Sequence, residues 1–411
     1  MRLSTAAYLA SLAALLPSVI GAPAAGLADP IVARGSEEDA AAKLDELQQQ
    51  ALDTTLAALE ADAAQMQKRG QTPACTVKNL QIRREFGSMA KADRKAYTDA
   101  VQCLQSKPNK TPASVSSGAR SRFDDFIVTH IQQTPFIHYS GTFLGWHRYY
   151  VHVYEQALRT ECGYKGPIPY WDWPKYASAP QNSPIFNGDA YSMGGNGKLI
   201  PGHEGITLLP AFDGLGSEPI YLAPGLGGGC VENGPFKNMA VNLGPIGLAN
   251  STTGPENGLG YNPRCLKRDV GPAIATKYTN YALVLKALLK GDIASFQLEL
   301  QGTPGENTIG PHGGGHYTIG GDPGGDLFVS PGDPAFYLHH AQVDRLWTLW
   351  QALSPATRTF ALAGTNTLLN IPPSEDTTLD FTINTGYAGG TTLAMRDIMS
   401  TTKGPFCYIY L

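Results

Sequence analysis

The sequence predicts a mainly α protein: one helical core draped with long irregular loops and carrying a few short strands. Three observations lead there. Hydrophobic residues make up 42% of the 411 and charged residues only 16%, enough apolar material to bury a sizeable core. Apolar residues recur at helical spacing over 91–104, 121–132, 145–160, 270–290, 292–300 and 334–353. Breakers are abundant, Gly 46 and Pro 30, and they concentrate in 166–264, where no period is sustained. Shared aromatic and aliphatic faces make one core more economical than two domains. Lys+Arg 31 against Asp+Glu 35 gives a net charge of −4, which argues against nucleic acid as a partner because no basic excess exists to displace counterions.

The chain opens with Met1-Arg2-Leu3, an apolar run from Ala6 to Ile20 and small residues at Gly21-Ala22. This is the pattern of a secretory leader over 1–22; the run is too short to span a membrane comfortably, so no membrane association is expected once it is removed. Next, 36–67 is rich in Ala, Leu, Gln, Asp and Glu, with Leu44, Leu47, Ala51, Leu56 and Leu59 near helical spacing, and it ends at Lys68-Arg69-Gly70. A dibasic pair closing an acidic amphipathic stretch reads as a processing site, so 23–69 is expected to be a pro-segment and 70–411 the working domain. Removing 1–69 takes away five basic and nine acidic residues; 31 less 5 and 35 less 9 leave 26 of each. All six cysteines (Cys75, Cys103, Cys162, Cys230, Cys265, Cys407) fall in 70–411 without metal-knuckle spacing, and an even number in an exported chain suggests three structural disulfides with the pairing open. Asn109-Lys110-Thr111 and Asn250-Ser251-Thr252 are glycosylation acceptors. After the loop-rich spacer, the Thr-rich alternations of 358–411 suggest short strands.

The histidines carry the chemistry. Eight of nine fall into two clusters: His130, His138, His147 and His152, then His312, His316, His339 and His340; only His203 stands apart. His312 and His316, at i and i+4, converge on one ion if their segment is helical, although Gly313-Gly314-Gly315 between them weakens a helix and invites close backbone approach. His130 near one helix end, His138 on the connection and His147 near the next helix start could form a trigonal site. Adjacent His339 and His340 project about 100° apart on a helix, so one of them faces the same ion. Asp344 and Arg345 follow within two turns and could hold imidazole N–H groups or each other. A supply of neutral imidazoles without thiolates or paired carboxylates disfavours Mg²⁺, Ca²⁺ and dizinc hydrolysis, and two copper ions on three His each is the consistent reading.

Three segments resemble the signatures of the tyrosinase/catechol oxidase family of type 3 dicopper polyphenol oxidases: Gly145-Trp146-His147-Arg148-Tyr149-Tyr150, Pro169-Tyr170-Trp171-Asp172-Trp173, and 333–347, which contains His339-His340 and Asp344-Arg345. The resemblance runs from about Cys75 to the end and is closest in look to short secreted fungal catechol oxidases. It implies a four-helix bundle holding a dicopper centre, with copper A on His130, His138 and His147, copper B on His312, His316 and His340, and His339 as a neighbour. Tyr408-Ile409-Tyr410 resembles the Tyr-x-Tyr motif that closes this core, so no shielding domain is expected to follow. The implied activity is oxidation of small phenolic substrates, o-diphenols going to o-quinones with O₂ as co-substrate.

Departures from the family pattern narrow the substrate. Phe136 stands where many members carry the Cys of a thioether. Gly313 stands where tyrosinases often carry Asn, and Gln301 best matches an upstream Glu that orients a water, with Glu299 or Glu306 as substitutes if the loop is shifted. A neutral amide is a poor proton acceptor, so diphenol oxidation is expected to exceed monophenol hydroxylation. Leu327, thirteen before His340, sits at the gate position with Phe328 and Val329 beside it. True tyrosinase activity, o-aminophenol oxidation and an oxygen-carrying role of the haemocyanin type are the competing readings. Oligomeric state is not legible.

Overall fold

The computed structural model describes residues 36–208, 218–304, 306 and 308–411. The expected leader lies outside these residues, as does 23–35 of the expected pro-segment. Helix α1 (Glu37–Lys68) begins at a capping box in which Ser36 and Asp39 satisfy each other's backbone N–H groups. Strand β1 (Gln81–Arg83) leads to α2 (Lys91–Ser106). Helix α3 (Arg122–Ile137) starts from a second capping box, Ser121 with Asp124, and runs past the expected stop near 132, through Pro135, to His138. Helix α4 (Phe143–Cys162) ends at Gly163, whose φ of 70° is the left-handed turn that glycine accepts without strain.

Among its described residues the spacer forms short antiparallel pairs, such as Gly197–Leu199 with Gly228–Val231, and single helical turns such as Trp173–Tyr176. Buried charges order it instead of regular structure. Arg268 donates to both carboxylate oxygens of Asp333 at 2.7 Å and to the Met193 carbonyl at 2.8 Å, while Asp326 accepts the N–H groups of Ile246 and Gly247. The expected helix over 270–290 is two helices, α5 (Pro272–Tyr278) and α6 (Tyr281–Leu288), because Asn280 caps a fresh start by accepting the Leu283 N–H. Helices α7 (Ile293–Gln301), α8 (Gly310–Ile319) and α9 (Ala335–Ala352) follow. The Thr-rich tail gives the hairpin β2 (Thr382–Thr385) and β3 (Gly389–Ala394), and then β4 (Tyr408–Tyr410), which returns parallel to β1 with Gln81 opposite Tyr408.

Helices α3, α4, α8 and α9 form the bundle that carries the clustered histidines. Three disulfides stitch its surroundings: Cys75–Cys407, Cys103–Cys162 and Cys230–Cys265. At the centre, Asp344 on α9 accepts from Arg148 Nε on α4 at 2.5 Å, from Arg83 on β1 at 3.3 Å and from the hydroxyls of Tyr408 and Tyr410 on β4 at 2.6 Å each. Arg83 also pairs with Glu155 of α4 at 2.9 Å. Burial alone would raise the Asp344 pKa, but Arg148 and Arg83 outweigh it and hold the carboxyl below its usual range. This corrects the sequence expectation for Asp344 and Arg345. Neither holds an imidazole, and they do not pair with each other: Arg345 donates to Gln342 and to Gln48 of α1, and stands 4.0 Å from Asp172.

Replacing Asp344 by Asn leaves Arg83 and Arg148 short of a counter-charge in the core. Removing one partner of a buried pair costs about 3–5 kcal/mol, so Asp344→Asn is expected to lower the thermal unfolding midpoint clearly; a midpoint equal to wild type would contradict this account.

Candidate metal centre

Three side chains converge from α3, its C-terminus and α4. His130 lies mid-helix on α3, its Nδ1 2.9 Å from the Phe328 carbonyl. His138 caps the same helix with Nδ1 3.1 Å from the Thr134 carbonyl, and His147 places Nδ1 2.8 Å from the Phe143 carbonyl one turn back on α4. A carbonyl accepts only from N–H, so each ring carries its proton on Nδ1 and turns the Nε2 lone pair inward. The Nε2 atoms of His130 and His147 are buried and have no hydrogen-bond partner among the described residues. One ring nitrogen from each of the three lies within 4.8 Å of the others.

The second cluster comes from α8 and α9. His312 and His316 sit one turn apart on α8, which is helical despite its glycines. Two of those glycines are close-packing positions. A Cβ on Gly314 would stand 2.5 Å from the Tyr278 Cβ, and one on Gly315 would stand 2.3 Å from His339 Nδ1. Nε2 of His316 lies 3.2 Å from that of His312 and 3.3 Å from that of His340. The His316 ring bonds the Gly324 backbone through its other nitrogen, which leaves its Nε2 lone pair facing the other two rings, a set of donors that one cation could gather. The spacing matches the edge, about 3.3 Å, of a tetrahedron with metal–nitrogen bonds of about 2.0 Å. The clusters adjoin: His340 stacks on His147 with ring centroids 4.3 Å apart and planes 11° apart.

Burial pushes these histidines down, and in all but His138 neighbouring imidazoles add to it. His138 falls to about 4 and His316 to about 3, while His130, His147, His312 and His340 also lie below the ordinary value. All six therefore present neutral lone pairs at pH 7. The donor set, imidazole only, suits copper or zinc and not a hard cation.

A cleft of about 70 Å³ opens beside His138, His312 and His316. Gly313, Gln301 and Leu327 line it. Val329 does not; it is fully buried and packs beneath Gly244. His339 is fully buried between Trp173 and His316, with both ring nitrogens lacking a hydrogen-bond partner among the described residues. Glu299 pairs with Lys286 and Lys290, and Glu306 is exposed, so neither substitutes for Gln301. Sequence reasoning missed Tyr139, Tyr317 and Leu368 as cleft walls. Tyr139 follows His138 directly, and that adjacency was the available signal; Leu368 arrives from a distant loop and gave none.

A bundle of helices holding two adjoining clusters of neutral histidines defines a binuclear metalloprotein. A family model described as the common central domain of tyrosinase matches residues 120–353. Tyrosinase P of Aspergillus terreus is 39% identical over 347 residues, covering 84% of this chain and 96% of that protein. N-acetyl-6-hydroxytryptophan oxidase of Emericella nidulans is 38% identical over 353 residues, covering 82% of this chain and 93% of that protein. The solved structure of a Gly-to-Asn variant of polyphenol oxidase from Thermothelomyces thermophila superposes with a TM-score of 0.85 at 53% identity. It covers 97% of that chain and 90% of this one, more than residues 70–411 alone can supply. This chain belongs to the tyrosinase family and is an oxidase whose histidine clusters fit the family's dicopper centre.

Two outcomes follow from the geometry. Gly315→Ala drives a methyl into His339 and, through it, into the α8–α9 contact; copper content measured after reconstitution is expected to fall from two per chain toward one, and full loading would contradict the packing argument. The lowered histidine pKa values also set a pH dependence. Because they lie below the unfolded value of about 6.5, the metal-free protein keeps this stability above pH 6.5 and loses it as pH falls toward about 4, where His138 protonates. Thermal midpoints of both metal-free and copper-loaded protein are expected to fall over that window, and the advantage of the loaded protein is expected to shrink below about pH 4, where protons compete with copper for the imidazoles.

Proposed function

We propose that this chain is a secreted catechol oxidase: two o-diphenols and one O₂ give two o-quinones and two waters, with monophenol hydroxylation weak or absent. Copper A is assigned to His130, His138 and His147, and copper B to His312, His316 and His340. When bound, the copper pair supplies the two-electron redox chemistry and the site for O₂. The protein holds the six imidazoles neutral and oriented through backbone carbonyls and packing, and it keeps water out by burying them among Phe143, Phe336 and Trp146.

The observation that carries the preference for diphenols is a cleft without an available base. Gln301 Oε1 already accepts the Tyr139 N–H at 2.8 Å, and the Tyr139 hydroxyl donates to the Gln301 carbonyl. Gly313 offers no side chain. Asp326, the cleft's carboxylate, spends its oxygens on the backbone N–H groups of Ile246, Gly247, Phe328 and Val329. A monophenol must lose its proton before it can be hydroxylated, and the polar side chains named here are poor takers: Gln301 is a neutral amide and Asp326 is almost wholly buried.

Secretion is supported by the leader pattern at 1–22 and three disulfides, and among the described residues no helix is long and apolar enough to cross a membrane. Asn250 is exposed and is the better placed glycan acceptor, since Asn109 spends its amide on the Thr111 carbonyl.

Initial rates for catechol, an o-aminophenol and tyrosine test the reading. Catechol is expected to exceed tyrosine by at least about 10-fold, and Gln301→Glu is expected to narrow that gap by a similar factor, since one positioned base contributes roughly 10²–10⁴. Tyrosine turnover as fast as catechol without a lag would refute the assignment. A faster o-aminophenol would redirect it within the family. Stoichiometric O₂ binding without turnover would favour a carrier.

A further inference from the structure

The amphipathic stretch ahead of Lys68-Arg69 reads from sequence as a segment to be discarded, but its place in the fold points elsewhere. Helix α1 is about 48 Å long at 1.5 Å per residue. Its Ala40, Leu44, Leu47 and Ala51 belong to the same apolar core as the bundle and are almost wholly buried; Leu44 is 3% exposed and Ala51 1%. They fill a groove between α6 and α9, and the polar contacts along the helix are specific. The Glu37 carboxylate accepts the N–H groups of Tyr281 at 2.9 Å and Ala282 at 3.3 Å, two of the unsatisfied donors that begin α6. Gln48 accepts from Arg345, and Asp62 pairs with Lys403 at 2.8 Å.

Two facts separate this helix from a plug. No residue of 37–68 lines the cleft beside His138, His312 and His316. The solved polyphenol oxidase also overlaps this chain beyond residues 70–411, so a matching segment is present in that chain. Meanwhile Lys68, Arg69 and Gly70 are exposed and open to a protease, and Cys75 is tied to Cys407 a few residues beyond.

We propose that residues 37–68 are a lasting partner of residues 70–411, docked in the α6–α9 groove, so that cutting after Arg69 produces a two-fragment protein and does not unlock the cleft. The cut removes one peptide bond and leaves every buried contact of α1 in place. A helix that carries its own capping box and few breakers also gives up little ordering entropy to stay bound. The statement about rate rests on the oxidase reading above; the statement about docking does not.

The full chain, treated natively with a dibasic-specific endoprotease, tests this by native mass spectrometry, gel filtration and catechol rate. The two fragments are expected to travel together, with the rate within about twofold of the uncut protein. After cutting, the Leu44→Asp/Leu47→Asp variant is expected to shed the helix. Release of the wild-type helix would overturn the proposal, as would a rate rise above about twofold on cutting or retention of the helix in the double variant. Resistance of the native chain to the protease would overturn it too. If neither cut nor uncut protein oxidises catechol but the fragments stay together, the oxidase reading fails while the docking stands.

Discussion

The pair Arg148–Asp344 fixes the distance on which the rest of this structure depends. Arg148 is the neighbour of His147 on α4, and Asp344 lies one turn beyond His340 on α9. Their 2.5 Å contact therefore sets how closely the two helices bearing those histidines approach. Because the pair is fully buried, leaving either charge unpartnered is costly, and the protein supplies further partners. Arg83 and Glu155 complete two positive and two negative charges, and the hydroxyls of Tyr408 and Tyr410 join Arg83 in donating to Oδ2 of Asp344 while Arg148 holds Oδ1. The parallel pairing of β1 with β4 exists to deliver these groups, and the Cys75–Cys407 bridge holds both strands close by. A polar network of this kind tolerates little relaxation, and a metal site needs the same intolerance.

Burying six neutral imidazoles poses a second problem, since each ring has a donor that must be satisfied and a lone pair that must stay free. The first cluster solves it with backbone carbonyls from α3, α4 and the Phe328 loop. In the second, His316 bonds the Gly324 backbone, His340 Nδ1 is left without a partner among the described residues, and α8 gives up side chains at 313–315 so that it can press against Tyr278 and His339. Glycine in a helix interior costs roughly 1 kcal/mol against alanine. That cost is accepted where a Cβ would meet a ring nitrogen at 2.3 Å. Local propensity is overruled at the site itself, where its cost is offset by geometry.

How much of this the sequence could tell follows from the range of each interaction. Helix periodicity and capping are local, so α2, α3, α4, α7 and α9 were legible to within a few residues, and so were the histidine clusters whose members share those helices. The break at Thr279-Asn280 was missed because apolar spacing continues across it, although the Asn cap marked it. Asp344 and Arg345 were misplaced for a different reason. Adjacency in sequence suggested that they served the histidines beside them, whereas their partners lie at Arg83, Arg148, Tyr408 and Gln48, brought in by tertiary topology that no spacing encodes. Disulfide pairing and the wall at Leu368 belong to the same class. Val329 was placed at the cleft as a near neighbour of Leu327, the residue at the offset from His340, and two residues along an irregular turn exchange a wall for the core.

The cleft's chemistry is set by what its hydrogen bonds already occupy. Gln301 and Asp326 are both polar groups at the edge of a metal site, and either could be mistaken for a base from its position. Each is instead committed to backbone: Gln301 stitches the turn at Tyr139, whose φ of 44° needs external support, and Asp326 gathers four N–H groups from two loops. Asp326 takes three of these N–H groups on Oδ1 and one on Oδ2 and is almost wholly buried, so it is tied to the loops and poorly placed to meet a substrate proton. The same bonds that hold the irregular loops around the histidine clusters therefore occupy the cleft's Gln301 and Asp326. A diphenol brings a second hydroxyl with which to engage the metal pair, and it needs less help from the wall than a monophenol does. On the proposed reading, loop order and a preference for diphenols would rest on a single set of hydrogen bonds.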